Sequence, residues 1–155
     1  MTSTWPTAPL DPVRRLMIMA DAVRGARTVT RVVDASFDEV WTRLSDLEGD
    51  FGRIQPDMRH VRVQLRTGEH VEALARSRFG MRARLRGVLR PGWCWLQSRF
   101  LIIGMAAVQQ PDGRTLVALT GGVRVPGRAA VIPLGAARES RRSLDRLERL
   151  LSGHR

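Results

Sequence analysis

The side chains able to do chemistry in this chain are few and scattered. His60, His70 and His154 lie far apart and form no His-x-x-x-His pair, and Cys94 is the single cysteine. No metal site is expected from such a set, and one cysteine excludes an internal disulfide. No local signature assembles a Ser/His/Asp triad. Gly121-Gly122 does not open the strand–helix unit that a phosphate-binding loop requires. No catalytic residue and no cofactor is assigned on this basis.

What remains is the chemistry of binding. Trp93 and Trp95 share one face of a strand, and Gln97 and Arg99 continue it, so that face runs from apolar to polar. A ligand pocket is usually lined by such aromatic side chains with a few polar groups; core packing and a protein-contact patch are the alternatives for the tryptophans, and a solvated rim for Gln97. Met81, Leu85 and Met105 are adaptable lining residues for which core is the default. Phe51 and Ile54 join them as candidate ligand contacts. Trp41 sits on the buried face of a helix and reads as core.

The elements that must position these residues follow from periodicity. Ala26 to Val33 is rich in β-branched residues and predicts a strand. Ser36 with Glu39 forms a capping box for a helix over Phe37 to Ser45. The turn-rich link from Asp46 to Asp57 predicts a short second helix near Phe51 and Ile54. From Met58 the period changes to two, and six strands follow, joined largely by hairpin-length turns, among them Thr67-Gly68, Phe79-Gly80, Pro91-Gly92 and Pro111-Asp112-Gly113. Short turns between successive strands demand antiparallel neighbours. Pro133 to Leu151 then places Leu134, Ala137, Leu144, Leu147 and Leu151 on one helical face, with Asp145 four residues before Arg149 in the order that favours an ion pair.

Ahead of this domain, over residues 26–155, stands an N-terminal extension of residues 1–25. Asp11-Pro12 caps a short amphipathic helix there, through Val13, Leu16, Met17, Ala20 and Val23. That helix can pack on the domain or serve as the arm of a homodimer.

Of the 155 residues, 26 are basic and all of these are Arg, giving a net charge of +11; Tyr is absent. Arginine without lysine, beside abundant Ala, Gly and Val, reads first as codon bias. Arg76, Arg78, Arg82, Arg84 and Arg86 fall opposite Ala73, Ala75, Ala83 and Leu85 on neighbouring strands, so a solvated Arg face is expected, with an anionic partner as the sharper alternative. Nucleic acid is disfavoured, because stacking aromatics are not interleaved with these cations. No apolar run approaches the roughly eighteen residues of a membrane span, and a cytoplasmic protein is expected.

The strand ending Val32-Val33, then Ala35-Ser36 with Glu39-Val40-Trp41, then Leu44-Ser45-Asp46-Leu47, resembles the SRPBCC superfamily, which includes START lipid-transfer domains and polyketide cyclase/dehydrase proteins. The Pro56 to Val63 link and the Gly113-Arg114-Thr115 turn extend the resemblance across about Ala26 to Leu151. It implies an α+β helix-grip fold: a seven-stranded antiparallel sheet curved around the long C-terminal helix, with two short helices after the first strand. It implies a cavity between sheet and helix for a small hydrophobic molecule of polyketide, lipid or aromatic type. The loop from Gly121 to Ile132 is expected to be its lid, with Arg124 and Arg128 as cations at the entrance, or pointing to water. A carrier is the first functional reading. A cyclase, aromatase or dehydratase acting on a polyketide-like intermediate is the second, and a protein that presents its Arg face to a partner such as an acyl-carrier protein is the third.

Overall fold

The computed structural model describes residues 10–55, 58–76, 80, 82–99, 101–123 and 133–153, and the side chains of residues 123 and 133–137 are outside that description. The element order is α1 (Pro12–Asp21), β1 (Arg27–Val33), α2 (Phe37–Ser45), α3 (Asp50–Ile54), β2 (His60–Thr67), β3 (His70–Arg76), β4 (Arg82–Arg90), β5 (Trp93–Gln97), β6 (Leu101–Gln109), β7 (Thr115–Val123) and α4 (Pro133–Ser152). One antiparallel sheet holds all seven strands in the order β1-β7-β6-β5-β4-β3-β2. Each of β2 to β7 pairs with its neighbour in sequence, as hairpin-length turns require. The first strand instead crosses to pair with the last, Arg27 opposite Gly121 through Val33 opposite Thr115.

The two short helices sit inside that crossover. Ser36 caps α2: its Oγ accepts from the Glu39 N–H at 3.3 Å, and Glu39 Oε2 accepts from the Ser36 N–H at 3.1 Å. This satisfies two of the donors a helix start leaves open. Phe37 and Trp41 stack with centroids 6.4 Å apart.

Each face of the sheet packs on helix. The inner face meets α2, α3 and α4 around one apolar cluster that includes Val40, Leu44, Phe51, Ile54, Leu85, Met105, Leu144 and Leu147. The outer face meets α1, whose Val13 and Leu16 pack with Trp93, Trp95, Ile102, Ala106 and Ala118 in a second cluster. Gly104 makes this approach possible, since a Cβ there would stand 2.6 Å from Leu16 Cδ1 and 3.2 Å from Trp95 Cε3. The N-terminal helix is thus packed on the sheet, chiefly across β6 and β7. It covers only part of the outer face; β2, β3 and β4 turn theirs to water.

Candidate functional site

The apolar layer between the inner sheet face and α2–α4 is built by alternation. Val71, Ala73 and Ala75 of β3, Leu85 and Leu89 of β4, Cys94 and Leu96 of β5, Ile103, Met105 and Ala107 of β6, and Val117 and Leu119 of β7 are all buried on this side. No inner-facing strand position among the described residues carries His, Asp or Glu. Phe51 and Ile54 join this layer from α3, each fully buried, and Leu144 and Leu147 join it from α4.

Polar atoms enter at two places. Thr115 Oγ1 donates to the Ala35 carbonyl at 2.8 Å, which fixes the corner where β1 ends against β7. Where α3 meets α4, Ser143 Oγ lies 3.2 Å from Gln55 Oε1 and 3.0 Å from the Glu139 carbonyl. Beside them Arg146 Nη1 donates to the Ile54 carbonyl at 3.3 Å and to Glu139 Oε1 at 3.2 Å. Ser140 and Ser143 are themselves buried. This cluster escaped the sequence reading, although a signal was there: Ser140, Ser143, Leu144 and Leu147 are spaced at threes and fours, so the two serines belong to the buried stripe of α4.

Cys94 also faces inward and is fully buried. Burial without a cation beside it pushes the thiol up to about 12, so it stays protonated and is a poor nucleophile. His60 and His70 are exposed on the outer face, away from this space. No group of His, Cys, Asp or Glu among the described residues is arranged to hold a metal ion.

Of the residues expected to meet a ligand, the structure brings Phe51, Ile54, Leu85 and Met105 together on the inner side. It separates Trp93, Trp95 and Gln97 from them. Both rings point outward beneath α1, and Trp95 Nε1 donates to Gln97 Oε1 at 3.3 Å. This corrects the expectation that they line the sheet–helix space. The reason is that β5 is buried on both faces, from Trp93 to Leu96, so the wide apolar side chains need not mark the inner one. Trp93 is further covered by the Arg90 guanidinium, 4.9 Å from the ring centroid. Met81, Arg124 and Arg128, and most of the expected lid, lie outside the described residues.

Neither a family model nor a curated protein matches the sequence. Solved structures do match its fold. The Zhui aromatase/cyclase from Streptomyces sp. R1128 is similar with a TM-score of 0.64 at 18% identity, over 82% of this chain and 94% of that one. A START superfamily protein from Mycobacterium smegmatis gives 0.63 at 14%, over 84% and 99%. A protein from Mesorhizobium loti gives 0.65 at 12%, over 82% and 96%. The chain has the helix-grip fold of these structures.

Proposed function

We propose that this protein binds a small hydrophobic molecule, of polyketide, lipid or aromatic type, between the inner sheet face and α3–α4. The observation that carries this reading is the make-up of the layer there: Phe51, Ile54, Leu85, Met105, Leu144 and Leu147 form part of one apolar cluster and are wholly enclosed. A polar cluster, Gln55 with Ser143, Glu139 and Arg146, stands where α3 meets α4. A site that is mostly apolar, with a few placed polar groups, would orient an amphipathic guest.

The same make-up ranks carriage above catalysis. The Zhui aromatase/cyclase and the START protein share the fold, but a fold hosts many functions and chemistry must be argued from side chains. An enolate-forming step needs a general base within hydrogen-bond reach; the inner-facing strand positions supply none among the described residues, and the Glu139 carboxylate is already engaged by Arg146 and Arg142.

Fluorescence titration with the neutral probe N-phenyl-1-naphthylamine tests the reading. Ala73, fully buried on the inner face of β3, is the place to fill. Wild-type protein should bind the probe saturably, and Ala73→Met should weaken it at least tenfold while retaining a cooperative melt. Absence of saturable binding, or equal affinity in a folded Ala73→Met protein, would contradict it.

A further inference from the structure

All six exposed large apolar side chains among the described residues lie on one side of the molecule. Leu10, Met17 and Ile18 belong to α1 and its lead-in, and Val32, Leu65 and Leu74 occupy outward-facing strand positions. Ile18 is 56% exposed and Leu65 54%.

That side also carries a row of cations without acidic partners. Arg62, Arg76, Arg82 and Arg84 are exposed on the outer face of β2, β3 and β4, and none forms an ion pair among the described residues. The register sets Arg76 directly opposite Arg82, and Leu74 between Arg62 and Arg84. Like charges placed directly opposite destabilise a sheet. The one acid on these strands, Glu72, is already engaged by Arg86 at 3.4 Å. Acids gather instead on the helical side, where Glu139, Asp145 and Glu148 of α4 pair with Arg31, Arg142 and Arg146.

We propose that this outer side, the open β2–β4 face together with the exposed flank of α1, docks on the surface of an anionic lipid bilayer. Guanidinium forks suit lipid phosphodiesters, and a basic array beside aliphatic side chains is what an anionic headgroup layer over hydrocarbon attracts. A nucleic acid would satisfy the arginines but leave Ile18, Leu65 and Leu74 in water. It would also find no stacking partner in Trp93 or Trp95, which are 6% and 7% exposed. A soluble acidic protein would seat apolar anchors gathered in one well-packed centre. Here they are dispersed over a helix and three strands, an arrangement a fluid interface accepts and a rigid one does not.

Co-sedimentation with vesicles tests the docking, using phosphatidylcholine alone and phosphatidylcholine with about a third phosphatidylglycerol. The protein should bind the anionic vesicles at least tenfold more tightly, and raising NaCl from about 0.05 to about 0.3 M should release it. The combined variant Arg62→Glu/Arg82→Glu/Arg84→Glu should lose at least tenfold. Arg82→Glu alone, which sets opposite charges across from each other, should lose several-fold while melting no lower than wild type. Ile18→Ser/Leu65→Ser should weaken vesicle binding several-fold and leave heparin binding unchanged, which separates a bilayer from a soluble polyanion. Equal binding to neutral vesicles, undiminished binding by the charge-reversed variants, serine variants that bind vesicles as wild type does, or tighter binding to an oligonucleotide than to anionic vesicles would each overturn it.

Discussion

Arg31 on β1 places its Nη1 2.6 Å from Asp145 Oδ1 on α4 and 3.4 Å from Glu148 Oε1. One guanidinium thus ties the first strand to the last helix across 114 residues of chain. The hydrogen bond that Arg31 donates to Asp145, with the nearby Glu148 charge, raises the Arg31 pKa further against the cost of burial. Spacing within the helix suggested Asp145–Arg149 instead, but Arg149 Nε reaches only the Asp145 backbone carbonyl, at 3.4 Å. A half-exposed cross-element pair contributes modestly: Arg31→Ala or Asp145→Ala should each cost about 0.5–1 kcal/mol. A double-mutant cycle in urea should show coupling that shrinks as salt is added.

The α1–sheet contact is the second place where one atom decides the packing. Leu16→Ala should cost about 3 kcal/mol, as for a fully buried leucine. Gly104→Ala should cost about 1–3 kcal/mol by driving a methyl into Leu16, Thr120 and Trp95. Because the new methyl would occupy the space Leu16 leaves, the double variant should be less destabilised than the sum. Strict additivity in equilibrium denaturation would show that the helix does not seat where the structure puts it.

Cys94 predicts a pH dependence. Its folded-state pKa is raised from 9.0 to about 12 by burial, so the native protein holds a proton that the unfolded chain releases. The stability this represents is complete below pH 9 and is lost as pH rises through about 12, at up to about 1.4 kcal/mol per pH unit. Cys94→Ala should remove that slope. At pH 8 the native thiol should resist a disulfide-exchange reagent that labels it at once after denaturation.

On the open sheet face, Arg82→Glu should stabilise the fold by about 0.2–1 kcal/mol, since it replaces a like-charge pair with Arg76 by an opposite one. An unchanged or lowered urea midpoint would mean that the two guanidinium groups already avoid each other.

The architecture was legible because most strands carried their own alternation and most turns a glycine or proline. The seven strands, the Ser36 cap and the long terminal helix all follow from local pattern. The direction of each face was legible only where one side was polar. On β4 the Arg82, Arg84, Arg86 series fixes inward and outward unaided, and the structure agrees. On β5 both sides are apolar, and only the position of α1, an element separated from it by some seventy residues of chain, sends Trp93 and Trp95 outward. The Gln55–Ser143 contact was equally out of reach, because it joins residues 88 apart that share no local motif. Arg31–Asp145 shows the same limit for charge: sequence spacing sees partners within one helix and is blind to those across the fold.

The account turns on whether the inner space receives a guest, and methyl NMR during titration with N-phenyl-1-naphthylamine measures that most directly. Saturable shifts are expected at the methyl groups of Ile54, Leu85, Met105 and Leu144, which belong to one inner cluster, with Leu16 of α1 and Ile102 beneath it unmoved. Shifts confined to Leu16, Ile18 and Ile102, or none that saturate, would contradict it.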